Sequence, residues 1–99
     1  MIKSYQELLD AVRGLPPKRV AVAAAQDDAV LEAVQGAKAQ GIADFVLVGD
    51  KAKIQSLADN MGITLDGLTI VHEPDDRKAA FHAVSLVSRG EADVLMKGL

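Results

Sequence analysis

The sequence has no cysteine and no tryptophan, and aromatic residues make up only 3% of it. Without cysteine there is no disulfide framework, no thiol nucleophile and no Cys-based zinc site. That composition fits a reducing compartment. With so few aromatics the core must be built from Val, Leu, Ile and Ala, which lets helices lie close on a sheet. No apolar run approaches the roughly 18–20 residues of a membrane span. Glu7 and Asp10 interrupt the N-terminal apolar pattern, whereas a signal peptide has a basic start and an unbroken apolar stretch. A cytoplasmic protein is expected. There is no basic excess either: 11 Lys and Arg stand against 14 Asp and Glu, a net charge of -3. A general nucleic-acid surface needs a basic face to displace counterions, so none is expected.

Familiar catalytic motifs are missing too. No G-x-G-x-x-G follows a strand and no Walker-type G-x-x-x-x-G-K-[ST] occurs. His72 and His82 form no metal pattern, and no Ser–His–Asp arrangement can be argued. His72, beside Glu73 at the end of a strand, has the chemistry of an acid or base, but a lone histidine there is ordinarily structural or exposed. His82 falls on a polar helix face with Lys78, Ser85 and Arg89.

What is present is an ordinary globular balance, 49% hydrophobic and 25% charged over 99 residues, room for one small domain. The pattern alternates. Ser4 to Glu7 fits a capping box for a first helix, with Leu8, Ala11, Val12 and Leu15 on one face, ended by Gly14 and Pro16-Pro17. Arg19 to Ala25 is a short unbroken apolar run, the habit of a strand buried on both faces of a parallel sheet. A helix over 28–40 follows, with Val30, Ala33, Val34 and Ala37 as its stripe and Gly41 as a left-handed cap. Phe45 to Val48 is a second strand, closed by Gly49. Asp50 caps the next helix, whose Ile54, Leu57, Ala58 and Met61 share a face and which Gly62 stops. Leu68 to Val71 is a third strand. A long helix over 75–89, with an acidic start, buries Ala79, Ala80, Ala83, Val84 and Val87, while Phe81 covers core edge or meets a partner element. Ala92 to Met96 is a fourth strand. This order predicts a three-layer α/β/α fold, its mainly parallel sheet joined by right-handed crossovers.

Open α/β sheets bind ligands beyond the carboxyl ends of their strands, so three strand exits are candidates. Lys97-Gly98 follows strand four: glycine admits a ligand close to the backbone and lysine supplies a compact charge, which suits a phosphate or carboxylate. As a strand exit and turn glycine the same pair needs no function. Gln26 and Asp27 follow strand one; they can bond a ligand, or Asp27 or Asp28 can cap the helix while Gln26 faces out. Gly49 follows strand two and can leave room for a phosphate at a helix N-terminus, though the charge of Asp50 opposes an anion.

Taken together, Leu15 to Ala25, Gly41 to Asp44 leading into Leu47 to Asp50, and Ala92 to Leu99 resemble the N-terminal portion of the phosphate acetyl/butyryl transferase family. The butyryl type is the nearer. The resemblance implies a reversible transfer of an acyl group between coenzyme A and inorganic phosphate. Coenzyme A thioester is then a substrate, with no tightly bound cofactor and no metal. It implies a two-domain fold similar to isocitrate and isopropylmalate dehydrogenases, with the active site in the interdomain cleft and a homo-oligomeric parent. Residues 1–99 are then the N-terminal part of a larger acyltransferase, truncated after the fourth strand. The family's catalytic serine, aspartate and arginines fall beyond residue 99, so no catalytic residue is assigned and the isolated chain is expected to be inactive. Gln26, Asp27, Gly49, Lys97 and Gly98 match loops that line the cleft. Two alternatives stand beside this reading: a self-contained phosphate- or nucleotide-binding module, and a structural partner that docks its open sheet edge.

Overall fold

The structure, a computed structural model, describes residues 6, 7, 10, 18–41 and 43–97. The expected first helix falls mostly outside these residues; of its span Gln6, Glu7 and Asp10 are described and helical, with Gln6 Nε2 donating to Asp10 Oδ1 at 3.0 Å.

Four strands, β1 (Lys18–Ala23), β2 (Ala43–Gly49), β3 (Thr69–His72) and β4 (Val94–Lys97), form one parallel sheet in the order β3-β2-β1-β4. Three helices connect them: α1 (Asp28–Ala39), α2 (Lys51–Met61) and α3 (Asp76–Ser88). The period-two alternation of strand side chains divides the core in two. Val20, Val22, Phe45, Leu47 and Met96 pack with Val30, Leu31 and Val34 of α1 and Ile54 of α2. Ala21, Ala23, Val46 and Val48 point the other way, onto Ala79, Ala83 and Leu86 of α3. The steps β1 to β2 to β3 move in one direction with their helices on the first face. The step from β3 to β4 runs back past β2 and β1, and its helix lies on the opposite face. A constant crossover hand demands that change of face when the direction reverses.

Each helix starts on an aspartate whose side chain takes an orphan backbone N–H. Asp27 Oδ1 accepts from Val30 N at 3.0 Å, Asp50 Oδ1 from Lys53 N at 3.1 Å, and Asp75 Oδ1 from Lys78 N at 2.9 Å. Gly41 adopts the expected left-handed conformation past α1, with φ of 68°, and Gly62 and Gly90 do the same past α2 and α3, with φ of 69° and 75°.

Several boundaries differ from the sequence expectation, each for a local reason. β1 ends at Ala23 because Ala24 turns left-handed, φ 53°. β2 extends over Ala43–Gly49 because it is paired on both sides. β3 lies one residue later than expected, since Leu68 N bonds Leu65 O at 3.1 Å in a turn. β4 begins at Val94 because the residues before it are taken: Glu91 N and Ala92 N bond Leu86 O at 2.9 and 3.1 Å, and Asp93 is held by Arg19. On α3, Val84 is expected in the core from its spacing and is instead 46% exposed, while Leu86 is buried. The contacting stripe runs Ala79, Ala83, Leu86, and Val84 stands about 100° around the helix from Ala83. Phe81 is 76% exposed, so it does not cover core edge.

Ala24 carries a testable consequence. A left-handed conformation costs an L-residue about 1–2 kcal/mol, part of which glycine would return as chain entropy. Ala24→Gly is therefore expected to raise the unfolding free energy by about 0.5–1 kcal/mol, and Ala24→Val to lower it. Urea titration of the two variants checks this; a loss on Ala24→Gly would contradict the backbone assignment.

Candidate functional site

Strand order reverses at β1, whose neighbours are β2 on one side and β4 on the other. A crevice opens beyond the carboxyl ends of two strands at such a point because the connecting helices depart to opposite faces. The exits of β1 and β4 flank that point here. Ala23 and Lys97 are register partners, so Lys97 emerges one strand spacing, about 4.8 Å, from the exit of β1. Both strands point the same way, and the Lys97 side chain is exposed. The structure thus brings together the two exits that the sequence separates by more than seventy residues. Gly98 lies outside the described residues.

Gln26 and Asp27 sit in the loop from β1 to α1, both half-buried. The Asp27 side chain caps α1, the structural one of the two roles its position allows. The Gln26 carboxamide is engaged at both ends. Its Oε1 accepts from Asp50 N at 3.2 Å and its Nε2 donates to Asp76 Oδ1 at 3.1 Å. A carboxylate accepts only and a backbone N–H donates only, so this amide orientation alone satisfies both. Gly49 is buried, and the room its missing side chain leaves is occupied by Gln26: a Cβ at 49 would run into Gln26 Oε1 and come within 3.0 Å of Ala25 N.

Further bonds knit the rim. Ala25 N donates to Val48 O at 3.1 Å and Glu73 N to Gly49 O at 2.8 Å. Lys51 N donates to His72 Nδ1 at 3.1 Å, so this imidazole serves the start of α2 as a backbone acceptor. Asp27, Asp50 and Asp75 cap the helix starts at the exits of β1, β2 and β3, and Lys51, Lys53, Arg77 and Lys78 follow in the first turns of α2 and α3. On the other side of β1 Lys97 supplies a cation. The partnership of Gln26 with Asp76 has no sequence signal, being made across 50 residues. Neither has the turn at Ala24, since alanine is not a residue that announces positive φ.

His82, Lys78, Ser85 and Arg89, expected on one polar face, do line one open groove of about 600 Å³ along α3, together with Glu73, Arg77 and Phe81. This groove follows the outer surface of α3 and includes none of the strand-exit candidates. Among the described residues no group of three or more His, Asp or Glu could hold a metal ion, and no helix is long and apolar enough to cross a membrane.

Residues 4–80 match the family model described as phosphate acetyl/butaryl transferase. The chain belongs to this family. Among family members, the phosphate butyryltransferase of Clostridium acetobutylicum is 52% identical over 99 residues, all of this chain and 33% of the relative. The phosphate acetyltransferase of Thermotoga maritima is 37% identical over 93 residues, 94% of this chain and 31% of the relative. The chain thus spans about a third of the length of the curated relatives it matches. Among solved structures, the EutD phosphotransacetylase from Staphylococcus aureus superposes with a TM-score of 0.71 at 19% identity, covering 95% of this chain and 36% of that one. The shared parallel α/β architecture is the fold of that segment of the transferase.

Proposed function

We propose that these residues form the N-terminal part of a phosphate acyltransferase of the butyryl type, which moves an acyl group between coenzyme A and inorganic phosphate. The observation that carries this reading is the 52% identity to a phosphate butyryltransferase along every residue of the chain. The reversal of strand order at β1, with Lys97 in register beside Ala23, is consistent with it. In this reading the chain supplies one wall of a cleft between two domains, in an isocitrate dehydrogenase-like arrangement. Gln26, Asp27, Gly49 and Lys97 lie along that wall, and Gly98 follows Lys97 in the sequence. A phosphate oxygen attacks the thioester carbonyl, the tetrahedral oxyanion collapses, and coenzyme A leaves as the thiolate and takes up a proton. No protein nucleophile is required. The site must hold a dianion and stabilise developing charge on the carbonyl oxygen. Lys97 is suited to the first task as an exposed point charge beside a strand exit. Acyl-CoA and phosphate are the substrates, the compartment is the cytoplasm, and the full-length protein is a homo-oligomer.

The test is thiol release from butyryl-CoA with phosphate, using the full-length protein that carries these residues. Turnover is expected there and none from residues 1–99 alone, which lack the other wall. Lys97→Ala is expected to raise the KM for phosphate about tenfold, the loss of one exposed charge contact. A full-length protein without phosphate-dependent thiol release would overturn the reading, and a variant with unchanged KM would remove Lys97 from it.

A further inference from the structure

The sheet ladder ties neighbouring loops together, yet the loops leaving β1 and β3 are not neighbours, because β2 lies between them. Gln26 closes that gap. Its side chain crosses the exit of β2 at Gly49, where the absence of a Cβ lets it pass. It accepts the N–H of Asp50 and gives an N–H to Asp76, the first residue of α3. One carboxamide thus joins the β1–α1, β2–α2 and β3–α3 loops. We propose that Gln26 is a positioning residue: it fixes these three loops relative to one another on the crevice side of the sheet and does not itself contact ligand.

The chemistry is specific to an amide. A central group here must accept from Asp50 N and donate to a carboxylate through two separate atoms at the reach of Gln26; its carboxamide does both, and a carboxylate of the same length only accepts. Asparagine is one methylene shorter. Glutamate has the right shape, but it would set two carboxylates at the distance where Gln26 now bonds Asp76, a like-charge contact. Gly49 follows from the same geometry: its lack of a side chain serves Gln26 rather than an incoming phosphate.

The inference rests on the acyltransferase reading for its functional consequence, and its geometry stands apart from it. The test is a swap of donor and acceptor in the full-length protein. Gln26→Glu is expected to lower kcat/KM about tenfold near pH 8. The double change Gln26→Glu with Asp76→Asn is expected to recover it within about twofold, because the carboxamide introduced at position 76 then donates to the carboxylate introduced at position 26. A residue that touches ligand predicts no such recovery, since the amide stays lost. An unchanged kcat/KM for Gln26→Glu, or a double variant as impaired as the single one, overturns the proposal. A second readout needs no activity. Gln26→Met removes the acceptor of Asp50 N, and hydrogen exchange of that amide is expected to rise about tenfold. If it rises while the wild-type protein shows no thiol release, the acyltransferase reading fails and the three-loop link survives. If it does not change, the link is wrong whatever the enzyme does.

Discussion

Truncating Leu47 to alanine is expected to lower the unfolding free energy by about 2–5 kcal/mol, the range for deleting a fully buried leucine side chain from a core that relaxes only partly. Leu47 has no exposed surface and lies on β2 with Val22 of β1 and Ile70 of β3 as its register partners. It faces the helices α1 and α2 in the larger of the two clusters. The neighbouring strands are held by their ladders and cannot close on the void. Since small domains are stable by about 5–15 kcal/mol in total, the variant loses a large fraction of its folded margin. Val84→Ala is the control. Val84 is 46% exposed, and its truncation is expected to change stability by less than about 0.5 kcal/mol. Urea midpoints at constant m-value decide it. Equal effects at the two positions would mean that the assignment of faces on β2 or α3 is wrong.

Gly49→Val is expected to cost about 3–5 kcal/mol, by a different route. The added Cβ meets Gln26 Oε1 and comes within 3.0 Å of the backbone N of Ala25. The Gln26 side chain can swing away, but then Asp50 N loses its acceptor and Asp76 its donor. The Ala25 backbone is held by its own bond to Val48 O and cannot follow. Overpacking of this kind costs about 1–3 kcal/mol, and the broken bonds add about 1 kcal/mol each. Gly49→Ala carries the same clash with less bulk and is expected to fall between. Thermal unfolding of both measures the effect; a neutral Gly49→Val would show that the space at position 49 is open.

The two cases bear on what is legible in the chain before it folds. Strand, helix and cap assignments for residues 18–97 come from local physics: apolar runs of strand length, stripes at helical spacing, an aspartate before each helix and a glycine after each. Those features act within a few residues, so the parallel α/β class and the placing of Gln26, Asp27, Gly49 and Lys97 at strand exits are legible. The position of Val84 is not, because a stripe of alanines and valines on α3 has more than one self-consistent phase. Which phase meets the sheet depends on how closely Ala79 and Ala83 dock on Ala21 and Ala23. The start of β4 is hidden for another reason: Ala92 is held by Leu86 O at the end of α3, and Asp93 by Arg19, 74 residues away, a pairing that no window reveals.

By itself the sequence determined the elements, their alternation, the buried character of β1 and the family resemblance, since each depends on residue type and short spacing. Tertiary structure alone decided the order β3-β2-β1-β4, the reversal at β1 that sets Lys97 beside Ala23, and the use of Gly49 as a passage for Gln26. Those are relations between residues tens of positions apart. They arise because parallel strands must be joined by crossovers of one hand, a global constraint that leaves no mark on any single stretch of chain.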